Sequence, residues 1–248
     1  MATYKMKIAY DGTRYNGWQR QKNTPDTIQS KLERCLGEII GTSVEIQGAG
    51  RTDAGVHALA QTASFCTDCP IDLENTRLLL CGMLPRDIAV LSLEPAAERF
   101  HARFNSKGKI YRYRICTSAP SPVFMRNYVF HHPQPLDIST VINTAPLLCG
   151  THDYAVFCGN PHMKKSTVRT VDSIEVKQWS DDAGNAFVDL IFSGDGFLYH
   201  MVRLMTGVLI YHGEHPTQRL PEIWNIAKLP ENYPLAPAKG LTLVEVIY

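Results

Sequence analysis

The order of hydrophobic periodicities along the chain constrains its fold more than any other feature. Strand-like alternation occupies residues 4–10, 44–47, 61–66 and 88–93, and helical spacing of apolar residues occupies 28–39 and 73–83. The first helix is expected to begin at Asp26, with Gln29 three residues later completing a capping box, and the second behind Asp72. This β-α-β-β-α-β order is that of a ferredoxin-like unit.

The second half of the chain repeats that order. Strand patterns occupy residues 110–115, 171–179, 187–193 and 241–247, and helical patterns occupy 138–148 and 198–211. Asp137 is expected to open the first of these helices, which Gly150 follows. We therefore predict an α+β protein of two ferredoxin-like halves, with a first domain over residues 1–104 and a second over 105–248. The crevice between two such halves is the default place for a ligand.

Composition and cysteine content exclude several classes of protein. The 248 residues are 44% hydrophobic and 20% charged, and no apolar run approaches the ~20 residues of a membrane span. The chain runs from Met1 directly into a strand pattern, so no signal peptide is expected and the compartment is predicted to be the cytoplasm. Seven cysteines, an odd number, favour reduced thiols.

Motifs for metals and nucleotide cofactors are not found. The pair Cys66 and Cys69 has no second pair at zinc-finger spacing, and the nine histidines lack ligand partners at metal-site spacing; His57 is assigned to a loop. Neither a P-loop nor a G-x-G-x-x-G after a strand occurs. The sequence predicts no metal, no nucleotide cofactor and no membrane partner.

Residues 50–58, Gly-Arg-Thr-Asp-Ala-Gly-Val-His-Ala, form the strongest candidate site. Gly50 and Gly55 enclose Asp53 and allow close approach of a substrate to the main chain, while Arg51 supplies a cation that keeps a carboxylate ionised. An ionised carboxylate in such a loop acts as a nucleophile or base. The alternative is an Asx-type turn in which Asp53 binds its own backbone.

Three basic segments without an acidic residue indicate a polyanion partner, although the formal net charge is only +1. They span residues 12–25, 99–136 and 154–171, and their cations include Arg14, Lys22, Arg112, Lys164, Lys165 and Arg169. Interleaved aromatic residues are expected to offer stacking surfaces for unpaired bases, namely Tyr15, Trp18, Tyr111, Tyr113 and Phe157. The alternative is that each segment is an ordinary solvated surface.

Two further clusters lie in the second half. Apolar residues at 198, 201, 202, 205 and 208 form a core-facing helical stripe, and Arg203 lies beside it. Arg203 either reaches the carboxylate of Asp53 or makes a surface salt bridge. Tyr111 and Tyr113 share one face of a strand and are candidates for the site or for the core.

At these residues the chain resembles the bacterial tRNA pseudouridine synthase A (TruA) family along nearly its whole length. The matching stretches are residues 10–21, 50–58, 84–88, 100–104, 109–113, 152–154, 168–170, 201–203 with Gly207, and 240–241. The Arg-Thr-Asp-Ala-Gly-Val-His string over 51–57 is the most specific of them. The chain departs from the family pattern at Tyr154, Ala238 and Thr242, which lie off the catalytic positions.

The resemblance implies a fold, an activity and roles for residues. It implies the pseudouridine synthase fold, with a continuous, mainly antiparallel sheet and a central active-site cleft. It also implies that Asp53 is the catalytic aspartate, Tyr111 the active-site tyrosine and Arg203 the partner of the aspartate. Arg51 is expected to contact phosphate or to fill the space left by a flipped uridine. Asp53 is expected to attack C1′ of the sugar or C6 of the uracil, or to stabilise positive charge while C2′ loses a proton.

The expected substrates are uridines 38, 39 and 40 of the tRNA anticodon stem-loop, bound by a homodimer without a cofactor. Modification of adjacent positions suggests recognition of RNA shape rather than of bases. Two other functions remain open on the residues alone: a non-catalytic RNA-binding scaffold of the same fold, and a synthase acting on another structured RNA.

Overall fold

A computed structural model describes all of residues 1–248 and contains ten strands and four α-helices. The strands are β1 (Ala2–Tyr10), β2 (Gln47–Gly48), β3 (His57–Thr67), β4 (Ile88–Pro95), β5 (Gly108–Cys116), β6 (Phe130–His131), β7 (Gly150–Asp153), β8 (Val168–Ser180), β9 (Ala186–Gly194) and β10 (Leu241–Ile247). The helices are α1 (Ile28–Ile40), α2 (Leu73–Met83), α3 (Ile138–Thr144) and α4 (Met201–Glu214). The predicted class, α+β with mainly antiparallel strands, is confirmed.

The chain divides into two compact units, one of Met1–Lys107 with Thr242–Tyr248 and one of Gly108–Leu241. In the first unit the strand order is β4-β1-β3-β2, and each of these pairs is antiparallel, as in a ferredoxin-like sheet. Alternation along β1 leaves Met6 and Ile8 fully buried. The predicted periodicity therefore reports a strand with one core face.

The last strand, β10, counts with the first unit, whereas the sequence assigns it to the second half. It pairs in parallel with β3, through Thr242 opposite His57 and Leu243 opposite Ala58. Strand pairing between residues so distant in the chain leaves no trace in local periodicity, which explains the difference.

The second unit has the strand order β5-β9-β8-β7, again antiparallel, with β6 added in parallel to β5. Tyr113, Leu190 and Phe192 are fully buried and lie on one face of this sheet. Helices α3 and α4 contact each other as well as strands of the unit. The buried face and the two helices form the core of this unit.

The capping box predicted at Asp26 is wrong by one residue. Thr27 is the N-cap of α1, and its hydroxyl accepts a bond from the Ser30 amide at 3.3 Å. Gln29 is buried, and its side-chain amide donates to the Ile46 carbonyl at 3.0 Å. A buried glutamine that ties α1 to a distant segment cannot serve as the return half of a capping box.

Other element boundaries follow the prediction to different degrees. Asp72 and Asp137 cap α2 and α3 as predicted, through the amides of Asn75 and Thr140. The helix predicted from residue 198 begins at Met201. No helix has the length and apolar character needed to cross a membrane.

Strands β2 and β3 differ more from the prediction. Strand β2 covers Gln47–Gly48 rather than residues 44–47. Strand β3 covers His57–Thr67 rather than 61–66, so His57 is a strand residue and not a loop residue. Glycine and alanine near these ends interrupt the alternation that marks a strand in sequence.

Candidate active site

The Asp53 loop, residues 49–56, connects β2 to β3 and is bound along its backbone by the first unit. The carbonyl of Thr52 accepts a hydrogen bond from the Trp18 amide at 3.0 Å. The Thr52 hydroxyl lies 2.8 Å from the Tyr10 hydroxyl in a buried contact. The residue before Asp53 is thus fixed through both its main chain and its side chain, while Asp53 itself is half-buried.

Two glycines let the segment after β1 lie directly against the Asp53 loop. A Cβ on Gly12 would stand 2.0 Å from the Val56 carbonyl oxygen, and one on Gly17 would stand 2.5 Å from that of Thr52. Gly17 also has a positive φ of 86°, which a side chain disfavours. Sequence analysis identified this segment as a long basic loop and missed its structural task, although its closely spaced glycines are a usable signal.

His57 is a second residue whose role the sequence did not reveal. It is buried, and its Nδ1 lies 3.1 Å from the Gly12 amide nitrogen and 3.2 Å from Asp11 Oδ1. The neutral ring accepts the bond from that amide, which joins the start of β3 to the end of β1. His57 therefore supports the loop from its C-terminal side.

Main-chain groups close the turn that follows Asp53. The Val56 amide donates to the Asp53 carbonyl at 3.1 Å, and the Gly55 amide donates to the Tyr15 carbonyl at 3.3 Å. In an Asx turn the amide two residues after the aspartate bonds to its carboxylate, so these bonds favour a presented carboxylate over that alternative. Arg51 is exposed, and its Nε donates to Gln19 Oε1 at 2.9 Å.

The second unit carries the tyrosine and the arginine that the sequence identified. Tyr111, on β5, is 6% exposed and meets the Phe197 ring edge to face at a centroid distance of 5.4 Å. Tyr113 is fully buried, and its hydroxyl donates to the Pro237 carbonyl at 2.8 Å. Burial raises the pKa of Tyr113, so this residue is a neutral core phenol and not a base.

Arg203 lies in the first turn of α4, beside the predicted core stripe. The five stripe residues are buried as predicted, namely Leu198, Met201, Val202, Met205 and Val208. The Nε of Arg203 donates to the Ala236 carbonyl at 2.7 Å. A main-chain acceptor thus orients the guanidinium plane, and the adjacent carbonyl, of Pro237, is the acceptor for Tyr113.

The cations predicted to bind RNA fall into different environments. Lys22, Lys164 and Lys165 are exposed, as phosphate contacts must be. Arg14 is exposed but forms an ion pair of 2.6 Å with Asp87. Arg169 is half-buried and donates from Nη1 to the Ser166 carbonyl at 3.0 Å.

Arg112 lies on the sheet face opposite Tyr111 and is half-buried. Its buried Nε has no hydrogen-bond partner. Burial, with the nearby charge of Arg114, lowers the pKa of Arg112. Arg114 itself is neutralised by a two-pronged pair with Asp189, both bonds being 2.7 Å.

The prediction that aromatic residues of the basic segments offer stacking surfaces is wrong for three of the five. Trp18, Tyr113 and Phe157 are at most 1% exposed. Trp18 packs so closely on Gly48 that a Cβ there would stand 2.5 Å from the indole, and Phe157 contacts the Trp224 ring at 6.0 Å. Large apolar rings contribute most to stability in the core, which outweighs the local context of basic residues.

Comparisons with known proteins agree with this set of residues. The family model described as tRNA pseudouridine synthase matches residues 6–105 and 144–248. The chain is 41% identical over 248 residues to tRNA pseudouridine synthase A 2 of Bacillus cereus (strain ZK / E33L), covering 99% of both chains. It is 37% identical over 250 residues to tRNA pseudouridine synthase A 1 of Clostridium tetani (strain Massachusetts / E88), covering 100% of both.

A third relative, tRNA pseudouridine synthase A of Bacillus sp. (strain KSM-64), is 42% identical over 213 residues, which are 86% of this chain and 85% of the relative. Similarity of this extent covers both structural units, including the Asp53 loop and α4. The chain therefore belongs to the tRNA pseudouridine synthase family.

Proposed function

We propose that this protein isomerises uridine to pseudouridine at positions 38, 39 and 40 of the tRNA anticodon stem-loop, with Asp53 as the nucleophile. The reaction breaks the bond from N1 of uracil to C1′ of the ribose and forms a bond from C5 to C1′. The C5 proton leaves and N1 gains a proton, so no net oxidation occurs. A nucleophile, a means of holding the ring and an RNA-binding surface are sufficient, and no cofactor is required.

The presentation of Asp53 carries this proposal. The loop around it is bound from both sides, through Thr52 and through the turn at Gly55, so the position of the carboxylate is set before substrate arrives. Preorganisation of this kind lowers the barrier because the reacting group needs no rearrangement in the transition state. In the mechanism, Asp53 attacks C1′ or C6, or stabilises the sugar cation of a route through C2′ deprotonation.

Tyr111 and Arg203 complete the proposed site. Tyr111 stacks on the uracil during its rotation or accepts the C2′ proton; the edge of its ring is already held against Phe197. Arg203 pairs with Asp53 and keeps it ionised, with its own Nε held by the Ala236 carbonyl. Arg51, exposed beside Asp53, contacts phosphate or fills the space of the flipped uridine.

The proposed tRNA contacts are Arg14, Lys22, Arg112, Lys164, Lys165 and Arg169, which act by charge and shape rather than by reading bases. The exposed lysines are the best supported of these, since Arg14 and Arg169 already have acceptors within the chain. We further propose that the protein acts as a homodimer in the cytoplasm, with residues 1–104 carrying the catalytic loop and 105–248 carrying Tyr111 and Arg203.

Tritium release tests the function directly. Transcript tRNA labelled at C5 of uridine loses tritium when C5 bonds to C1′, and mapping of the product locates the modified positions. Wild type should release label from positions 38–40, and Asp53→Asn should release none while its tRNA affinity and melting temperature stay near wild type.

Two results would redirect the proposal. Label lost only from another structured RNA would identify a synthase with a different substrate. tRNA binding without any tritium release by wild type would identify a non-catalytic scaffold. Turnover by Asp53→Asn within tenfold of wild type would remove Asp53 from the mechanism.

A further inference from the structure

The backbone at His200 is the one non-glycine position in the chain with a positive φ, at 64°. This left-handed conformation is disfavoured for residues that carry a Cβ, and it persists where the surroundings hold it in place. His200 is the N-cap of α4, yet its side chain makes no capping hydrogen bond. Helix capping therefore does not explain why this residue adopts the conformation.

Contacts around the His200 ring give another reason. The imidazole stacks on the neighbouring Tyr199 ring at a centroid distance of 3.7 Å. On another side it lies against Gly159, where a Cβ would stand only 2.6 Å from His200 Nδ1. The Gly159 amide also donates to the Tyr199 carbonyl at 2.8 Å. The turn at Gly159 is thus bound to the helix entrance through main chain and ring together.

Gly159 belongs to the basic segment that we propose binds tRNA. Beyond it the chain folds back, with Cys158 Sγ 3.7 Å from Met163 Sδ, and the exposed Lys164 and Lys165 follow immediately. The two lysines are therefore connected to the His200 contact by a short and internally bonded loop. A pull on the lysines by phosphate is transmitted to the entrance of α4.

The same entrance determines where Arg203 lies. The Leu204 amide donates to the His200 carbonyl at 2.9 Å, which is a hydrogen bond of the first helical turn. Arg203 is in that turn, with Nε fixed to the Ala236 carbonyl at 2.7 Å. The backbone angle at His200 sets the direction of the turn and, with it, the position of the guanidinium.

We propose that His200 is a positioning residue for uridine isomerisation, whose ring clamps the Gly159 turn to the first turn of α4. The clamp makes the phosphate-binding lysines and the Arg203 guanidinium one mechanical unit, so that a bound tRNA meets an arginine already in place. This inference rests on the proposed function, in which Arg203 and the two lysines act on tRNA.

Two single variants and their combination test the clamp. His200→Gly keeps the left-handed backbone without strain and removes the ring, while Gly159→Ala drives a Cβ into the ring. Each should lower the saturated single-turnover rate on tRNA by about tenfold or more. The melting temperature of His200→Gly should stay at or above that of wild type, because removal of the Cβ relieves an unfavourable conformation.

The double variant gives the sharpest result. Without the ring the Cβ at residue 159 meets no obstacle, so the double variant should be no slower than His200→Gly alone. Gly196→Ala is the matched control, since its nearest side-chain neighbour, Arg169, would be an ordinary 3.7 Å away. It should turn over at the wild-type rate.

Several outcomes would overturn the clamp. A wild-type rate in His200→Gly, rate losses that multiply in the double variant, or a rate loss that merely tracks a fall in melting temperature would each do so. Absence of tritium release from tRNA by the wild-type protein would instead overturn the proposed function. The two failures are therefore distinguishable.

Discussion

Replacement of Gly207 by alanine should reduce catalysis without touching a catalytic group. Gly207 lies within α4, one turn after Arg203, and packs against the segment that orients this arginine. A Cβ on Gly207 would stand 1.8 Å from the Pro234 carbonyl oxygen and 2.9 Å from its carbonyl carbon. Real Cβ atoms essentially never come closer than 3.0 Å, so helix and segment must separate by at least the difference, 1.2 Å.

That separation has a calculable consequence for Arg203. Its Nε is 2.7 Å from the Ala236 carbonyl oxygen, and its own carbonyl accepts from the Ala236 amide at 3.3 Å. An added 1.2 Å breaks both bonds. Misplacement of this size typically costs on the order of 10² in rate, so the saturated single-turnover rate of Gly207→Ala should fall by about that factor.

Stability should fall as well, against the usual trend. Glycine to alanine inside a helix ordinarily stabilises by up to about 1 kcal/mol, whereas overpacking costs about 1–3 kcal/mol. Gly82→Ala in α2 is the matched control, because a Cβ there has nothing within 4 Å. Urea denaturation should show a gain for Gly82→Ala and a loss for Gly207→Ala, with turnover reduced only in the latter.

The result that refutes this reasoning is simple. If Gly207→Ala gained stability like Gly82→Ala and kept the wild-type rate, the segment at Pro234 would be free to move away. Arg203 would then not depend on the contact between α4 and Ala236.

Three further predictions concern charge, protons and metals. Lys164→Ala with Lys165→Ala should weaken tRNA binding and lower the slope of log affinity against log salt by up to ~1 per phosphate contact, whereas Arg203→Ala should lower the saturated rate and leave that slope unchanged; the opposite pattern would make Arg203 a phosphate contact. Burial lowers the pKa of His132 and His212 from 6.5, so the unfolded chain binds more protons below about pH 6.5. The free energy of unfolding should therefore fall as pH drops from 7.5 to 5.5, by at most ~1.4 kcal/mol per pH unit and histidine, and urea denaturation of His212→Gln should show a shallower slope. Activity should survive EDTA when spermidine keeps the tRNA folded; loss restored only by zinc would contradict the metal-free reaction.

Local chemistry was enough to predict most elements of the fold. The alternation in β1 and the caps at Asp72 and Asp137 each depend on residues a few positions apart, so they are readable from sequence. The candidate nucleophile was readable for the same reason: Asp53 stands between Gly50 and Gly55 within a single short loop.

Features that depend on distant partners were not readable. Thr27 rather than Asp26 caps α1 because Gln29 is bonded to the carbonyl of Ile46, and Arg14 pairs with Asp87 across 73 residues of sequence. Neither partner is identifiable from local pattern. A polar side chain takes the acceptor that folding brings nearest, whatever its neighbours in sequence suggest.

The same division applies to the functional residues. Residue type and spacing alone determined the two ferredoxin-like patterns, the glycine-enclosed Asp53 and the core stripe beside Arg203. Tertiary packing alone decided that Trp18 supports the loop instead of stacking on RNA, and that His200 adopts a left-handed backbone against Gly159. Periodicity records which face of an element is buried, but only the assembled fold determines what that face is buried against.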